Sequence, residues 1–265
     1  MHSIKQRFPI FDFHPDLIFA DNASTTHKPA EVINAVSEYY KASNANIHRS
    51  VYDLGIASDE LLLTTREKLC DMYQKETCVF TNGTTDGINQ LARSFGEILV
   101  EGENVVVSEM EHHSNYLPWQ ELCNRTGATL RVSRITDEGE LDFEHLSILI
   151  DENTRIIALV HISNTLGTIN NLEKVETLIR DDKTKFVVDA AQSCSLHIEQ
   201  IRRLNADAVV FGAHKMFGPT GVGVILAKES LLKLLQPSKF GGGMVNEVGL
   251  SNSIYKTNIS GFEAG

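Results

Sequence analysis

The sequence lacks any run of about 18 apolar residues, the minimum for a helix that crosses a bilayer. Met1-His2-Ser3-Ile4-Lys5-Gln6-Arg7 leads into no apolar stretch with a small-residue cleavage site, so no secretory leader is expected. Cysteine is scarce: Cys70, Cys78, Cys123 and Cys194 are far apart and form neither a CxxC pair nor another metal-type spacing. They read as reduced packing thiols of a cytoplasmic protein. Basic residues are also in deficit, 24 Lys+Arg against 35 Asp+Glu for a net charge of −11. Neutralising phosphates needs clustered Lys and Arg, so a nucleic-acid partner is excluded. No repeat, long linker or low-complexity segment interrupts the chain, and Gly241-Gly242-Gly243 is too short to be a linker.

What remains is an ordinary globular composition: 265 residues, 42% hydrophobic and 22% charged. That length suits one large domain or two modest ones. Apolar residues recur at helical spacing in Val32, Ala35, Val36, Tyr39 and Tyr40, in Leu62, Thr65, Leu69 and Met72, and in Ile88, Leu91, Ala92 and Phe95. Between and after them lie short apolar runs at 77–80, 104–107, 155–160, 185–188 and 208–211. Runs of this kind, rather than strict alternations, suit strands covered on both faces by helices. The expectation is an α/β fold, a three-layer sandwich around a mostly parallel central sheet.

Ligands of such sheets bind beyond the carboxyl ends of the strands. The residues found there are polar: Thr81-Asn82-Gly83-Thr84-Thr85-Asp86, Ser108-Glu109-Met110-Glu111-His112-His113, His161-Ile162-Ser163-Asn164, Asp189-Ala190-Ala191-Gln192 and Gly212-Ala213-His214-Lys215. Gly83-Thr84-Thr85 opens a helix, where free N–H groups, the positive dipole end and two hydroxyls suit a phosphate. The same residues also read as a plain threonine-rich cap. No Walker lysine follows, which argues against a nucleoside triphosphate loop. Gly218-Pro219-Thr220-Gly221-Val222-Gly223 precedes a strand and reads as a turn. Glu111-His112-His113 makes a poor metal site, because neighbours on a strand face opposite ways and no third ligand is suitably spaced.

Asp189 and Lys215 each have an ordinary reading, as a cap or ion-pair partner and as a solvated amine. Together they suggest more. A buried amine can form a Schiff base with a carbonyl cofactor, and an acid can keep a pyridinium nitrogen protonated. Pyridoxal phosphate needs both, together with a phosphate cradle such as the Thr84-Thr85 helix start.

Seven segments carry a resemblance that covers the chain in order from about Phe19. They are Phe19-Ala20-Asp21-Asn22-Ala23-Ser24-Thr25-Thr26, Asn46-Ile47-His48-Arg49, Gly83-Thr84-Thr85-Asp86-Gly87-Ile88-Asn89, Glu111-His112-His113-Ser114-Asn115, His161-Ile162-Ser163-Asn164-Thr165-Leu166-Gly167, Val188-Asp189-Ala190-Ala191-Gln192 and His214-Lys215-Met216-Phe217-Gly218-Pro219-Thr220-Gly221. The chain resembles cysteine desulfurases of the SufS/selenocysteine-lyase type, in the class V aminotransferase family, whose large domain has fold type I of the pyridoxal-phosphate enzymes.

The resemblance implies that Lys215 is the Schiff-base lysine and proton shuttle, that Asp189 pairs with the pyridinium nitrogen, and that Gln192 bonds the ring hydroxyl. His112 would stack on the ring and act as an acid/base group. Thr85, His214 and the Thr84 backbone would hold the phosphate, and Asn164 would contact the ring or the substrate carboxylate. His48 and Arg49 would line the substrate entrance, across a dimer interface. Family members commonly carry a phosphate-binding serine where this chain has Gly212, which implies a weaker hold on the cofactor.

The resemblance also divides the chain into an N-terminal segment, 1–18, and a cofactor-binding large domain, 19–265. In the family, Phe262-Glu263-Ala264-Gly265 continues into Thr-Pro and a smaller C-terminal domain. That domain holds the sulfur-accepting cysteine and an arginine for the substrate carboxylate, and none of the four cysteines here matches the acceptor position. Three readings follow: a shortened cysteine desulfurase acting on L-cysteine, with a homodimeric parent and a sulfur-acceptor protein; a selenocysteine lyase or other class V enzyme; or a catalytically silent binding module.

Overall fold

The computed structural model describes residues 4–48 and 51–264. Seven strands form one sheet: β1 (Thr77–Thr81), β2 (Asn104–Ser108), β3 (Thr129–Ser133), β4 (Thr154–Val160), β5 (Lys185–Asp189), β6 (Ala208–Gly212) and β7 (Gly223–Ala227). Their order is β1-β7-β6-β5-β4-β2-β3. β2 through β6 pair in parallel, and β7 runs antiparallel to both β6 and β1. The fold is therefore mixed α/β with a mostly parallel sheet, matching fold type I of the pyridoxal-phosphate-dependent transferases.

The five apolar runs are all strands, and the central ones are buried along nearly their whole length, as expected when helices cover both faces. β3 is a strand that no such run announces. It is an edge strand, Thr129-Leu130-Arg131-Val132-Ser133, exposed at Thr129, half-buried at its three central residues and buried only at Ser133, and Arg131 on it turns out to an ion pair with Asp151 at 2.7 Å. An edge strand buries less, so its sequence alternates instead of running apolar.

Two apolar clusters flank the sheet. One gathers Tyr73, Val106, Leu146, Ile157, Phe186 and Phe211; the other gathers Ile88, Leu91, Phe95, Trp119, Ile156 and Val210. The Thr84–Phe95 helix buries Ile88, Leu91, Ala92 and Phe95 as its spacing predicts. The Asp53–Tyr73 helix differs: Thr65 and Met72 of the expected apolar row face outward, while Leu69, Cys70 and Tyr73 pack inward. Leu54, Ile56, Leu61 and Leu63 on it remain exposed. Tyr39 lies beyond the end of the Ala30–Glu38 helix, in a wider π-type turn.

The first described residues pack on the sheet-bearing body rather than standing apart. Phe8 meets Phe217 with ring centroids 6.0 Å apart, and Phe11 meets His27 at 6.1 Å.

Candidate active site

Parallel pairing puts the carboxyl ends of β2, β4, β5 and β6 on one rim, with Val160, Asp189 and Val210 in register. Chain order reverses at β2, with β3 on one side and β4 on the other, and a crevice is expected at such a switch. The rim encloses a cleft of about 1080 Å³. Thr84, Thr85, His112, Asn164, Asp189, Gln192, His214 and Lys215, spread over 131 positions of sequence from Thr84 to Lys215, all line it.

Asp189 closes β5 at 2% exposure, and its Oδ1 accepts the Ala191 N–H at 2.9 Å. Burial pushes its carboxyl up to about 6, against the pull of that N–H and of the Lys215 charge. The Lys215 charge also bears on His112 and His214, and burial together with that charge lowers both imidazoles. The Lys215 amine thus lies within electrostatic reach of an acid and two imidazoles contributed by three strand ends.

The turn that carries Lys215 is clamped by residues 23–28, just ahead of the Ala30–Glu38 helix. The His214 carbonyl accepts from the Thr26 N–H, the Thr25 and Thr26 hydroxyls and the Lys28 amine, at 3.0 to 3.1 Å. The Phe217 N–H donates to Thr26 Oγ1 at 2.9 Å. Gln192 Nε2 donates to the Ala23 carbonyl at 2.7 Å, so one of its amide hydrogens is committed to the same segment.

At the other end of the cleft the Thr84–Phe95 helix begins after Gly83, whose φ of 150° and ψ of 176° only glycine adopts readily. Gly223 on β7 lies against it: a Cβ there would fall 2.4 Å from Gly83 Cα. This contact lets the helix start approach the rim with its first N–H groups free. Gly212 does not line the cleft, yet it borders it. A Cβ at 212 would lie 3.2 Å from Thr84 Oγ1 and 3.1 Å from the His214 ring, so a side chain there would crowd both.

His48 lines a separate, adjoining cleft that shares Asn82, Asp86 and Val222 with the first; its backbone N–H is held by Asp59 at 2.7 Å. Arg49 lies outside the described residues. Glu111, His112 and His113 do not sit on a strand but in the connection after β2, and they diverge. Glu111 turns inward, with Oε1 accepting from Ser108 Oγ and the Val160 N–H and Oε2 from Asn115 Nδ2, at 2.6 to 3.1 Å. Burial pushes its carboxyl up to about 8 against those three donors. His112 enters the cleft, and His113 lines a groove beside it. Among the described residues no three His, Cys, Asp or Glu side chains converge as a metal site.

Sequence reading assigns no role to several cleft residues. Asn89 and Arg93 come from the second and third turns of the same helix. Ser114, two residues after His112, bonds both His112 and Thr85. A hydroxyl at that spacing from a histidine is a weak signal, because its partner Thr85 is 29 residues away.

A mostly parallel sheet whose rim joins an amine, a buried acid and a helix start is the arrangement of an α/β protein with a ligand cleft at its strand ends. The chain belongs to the aminotransferase class V family, whose model matches residues 18–265. It is 40% identical to a cysteine desulfurase of Escherichia coli over 94% of this chain and 63% of that protein. It is 38% identical to the "Probable cysteine desulfurase" of Halalkalibacterium halodurans over 100% of this chain and 67% of that one. The apo cysteine desulfurase of Thermococcus onnurineus NA1 superposes with a TM-score of 0.91 at 32% identity, covering 99% of this chain and 65% of that chain. The chain thus spans about two thirds of the length of these relatives.

Proposed function

We propose that residues 19–265 are the cofactor-binding large domain of a pyridoxal-phosphate-dependent cysteine desulfurase. One observation carries the reading: folding brings Lys215, Asp189 and His112 into a single cleft that ends at the Thr84-Thr85 helix start.

The residues fit the group. Its dianionic phosphate suits free N–H groups and two hydroxyls at a helix N-terminus, with His214 alongside. Its ring nitrogen suits Asp189, a buried carboxylate whose ionised form burial disfavours and a cation would restore. When bound, the group supplies an aldehyde carbon that condenses with an amine and a ring that draws electrons from the substrate α-carbon. With the group bound, Asp189 would hold a proton at its ring nitrogen, Gln192 and Asn164 would contact its polar edge, Lys215 would be the amine that anchors it and the base for the substrate α-proton, and His112 would stack on its ring.

The parent reaction converts L-cysteine and an acceptor thiol into L-alanine and a persulfide, breaking the substrate C–S bond and forming one S–S bond. No cysteine lines the cleft, so the acceptor thiol comes from a further segment of the protein or from an added thiol. The 40% identity to a bacterial desulfurase supports L-cysteine as substrate. Exposed apolar side chains on the Asp53–Tyr73 helix, Leu54 and Leu61 on one side and Ile56 and Leu63 on the other, support a homodimer. Among the described residues no helix is long and apolar enough to cross a membrane; the four unpaired cysteines suit a reducing, cytoplasmic setting.

The test is direct. Pyridoxal phosphate added to the protein gives an absorbance band near the visible edge that Lys215→Ala loses. L-cysteine with a thiol then yields alanine and sulfide in equal amounts. A protein that never takes up the cofactor refutes the reading; turnover of selenocysteine alone moves it to selenocysteine lyase.

A further inference from the structure

Ser114 ties His112 to the helix start, and backbone chemistry fixes the direction of that link. The Ser114 backbone N–H donates to His112 Nδ1 at 3.1 Å. A backbone amide can only donate, so Nδ1 must present its lone pair. The Ser114 hydroxyl lies 3.0 Å from the same nitrogen and 2.7 Å from Thr85 Oγ1. With Nδ1 an acceptor, the Ser114 hydroxyl donates to it and accepts from Thr85. Both donors from Ser114 thus converge on one ring nitrogen.

We propose that Ser114 is a positioning residue that locks His112 as the neutral Nε2–H tautomer, so that His112 presents a hydrogen-bond donor to the cleft. A second ring proton would have to sit on Nδ1, directly against the Ser114 N–H. The charged and titratable groups facing the ring are Lys215, from the turn after β6, and its neighbour His113; both oppose protonation in the same direction as burial. The group that His112 offers in the acid/base role the family resemblance implies is then its Nε2–H. The chemical meaning of the lock rests on the proposed cofactor site, but its existence does not.

Long-range 1H–15N correlation on histidine-labelled, cofactor-free protein reads the tautomer directly. The expected spectrum at pH 8 has His112 Nδ1 in the unprotonated range and Nε2 in the protonated range. In Ser114→Ala, which removes the hydroxyl donor but keeps the backbone N–H, Nε2 stays protonated and the Nδ1 resonance moves further into the unprotonated range while circular dichroism and Tm stay unchanged, and Ser114→Thr restores its position. Protonated Nδ1 or averaged shifts in the unmodified protein overturn the proposal, and so do Ser114→Ala shifts identical to those of the unmodified protein. An absent cofactor band with the expected tautomer would fault only the cofactor reading; a normal band with the wrong tautomer would fault only the lock.

Discussion

Reactivity at the scale of single residues is set by burial as much as by residue type. Cys78 and Cys194 are fully buried, and burial pushes both thiols up to about 12. Cys123 is pushed up to about 11, and half-buried Cys70 is raised as well, again chiefly by burial. Thiolate is the nucleophilic form, so all four are poor sulfur acceptors. A thiol reagent at pH 8 should modify at most Cys70 in the native protein, and all four after unfolding; rapid native labelling of a second cysteine would contradict this. The same logic explains Asp189. Its type is legible in the sequence, but its raised titration depends on being buried at a strand end, with only the Ala191 N–H and the Lys215 charge to offset the desolvation.

At the scale of elements, the cleft depends on contacts between segments that no local pattern links. Gly83 and Gly223 touch because β7 pairs with β1 in antiparallel register, Thr81 opposite Gly223. Gly223→Ala drives a Cβ to 2.4 Å from Gly83 Cα, backbone against backbone, where nothing can swing aside. Overpacking of this severity should cost roughly 3 kcal/mol, a fall in Tm of about 6–12 °C for a chain of this size. Phosphate or cofactor binding at the Thr84-Thr85 turn should weaken with it; retained stability and binding would show that the turn relaxes. A second junction is Arg66 with Glu263. The guanidinium meets both carboxylate oxygens at 2.8 Å, and Glu263 Oε1 also accepts the Phe80 N–H at 2.6 Å. That N–H belongs to the edge strand β1, so the carboxylate covers a backbone donor that would otherwise lie open.

For the whole molecule, buried ionisable groups set how stability depends on pH. Native Glu111 holds its proton up to about 8, whereas its ordinary value is 4.5. Between those values the native state binds more protons than the unfolded chain, so stability falls as pH rises through that window. Asp189 acts in the same direction between 3.8 and about 6. His161 acts oppositely: burial lowers it from 6.5 to about 4. The unfolded chain then binds more protons, and stability falls as pH drops below 6.5. Above pH 6.5 Glu111 is the one of these three still titrating, and urea unfolding should lose about 1–2 kcal/mol between pH 6.5 and 8. The slope should flatten in Glu111→Gln, whatever that variant costs in absolute stability. A stability that rises across this window would refute the assignment.

By itself the sequence determined the layered fold and the inventory of polar groups at its rim. Strand runs such as 155–160 and 208–211 are apolar because both faces are covered, and the polar residues after them must emerge at the carboxyl ends. Local periodicity did not reveal β3, which buries too little to leave a continuous run. It also misjudged the expected row of the Asp53–Tyr73 helix, whose Thr65 and Met72 stay exposed. Only the tertiary structure decided the divergence of Glu111, His112 and His113, because backbone direction after β2 sets which side chain enters the core. It likewise placed His48 in the neighbouring cleft and brought Ser114 between Thr85 and His112. Hydrogen-bond direction across such a link depends on which groups meet in space, and spacing along the chain carries no record of it.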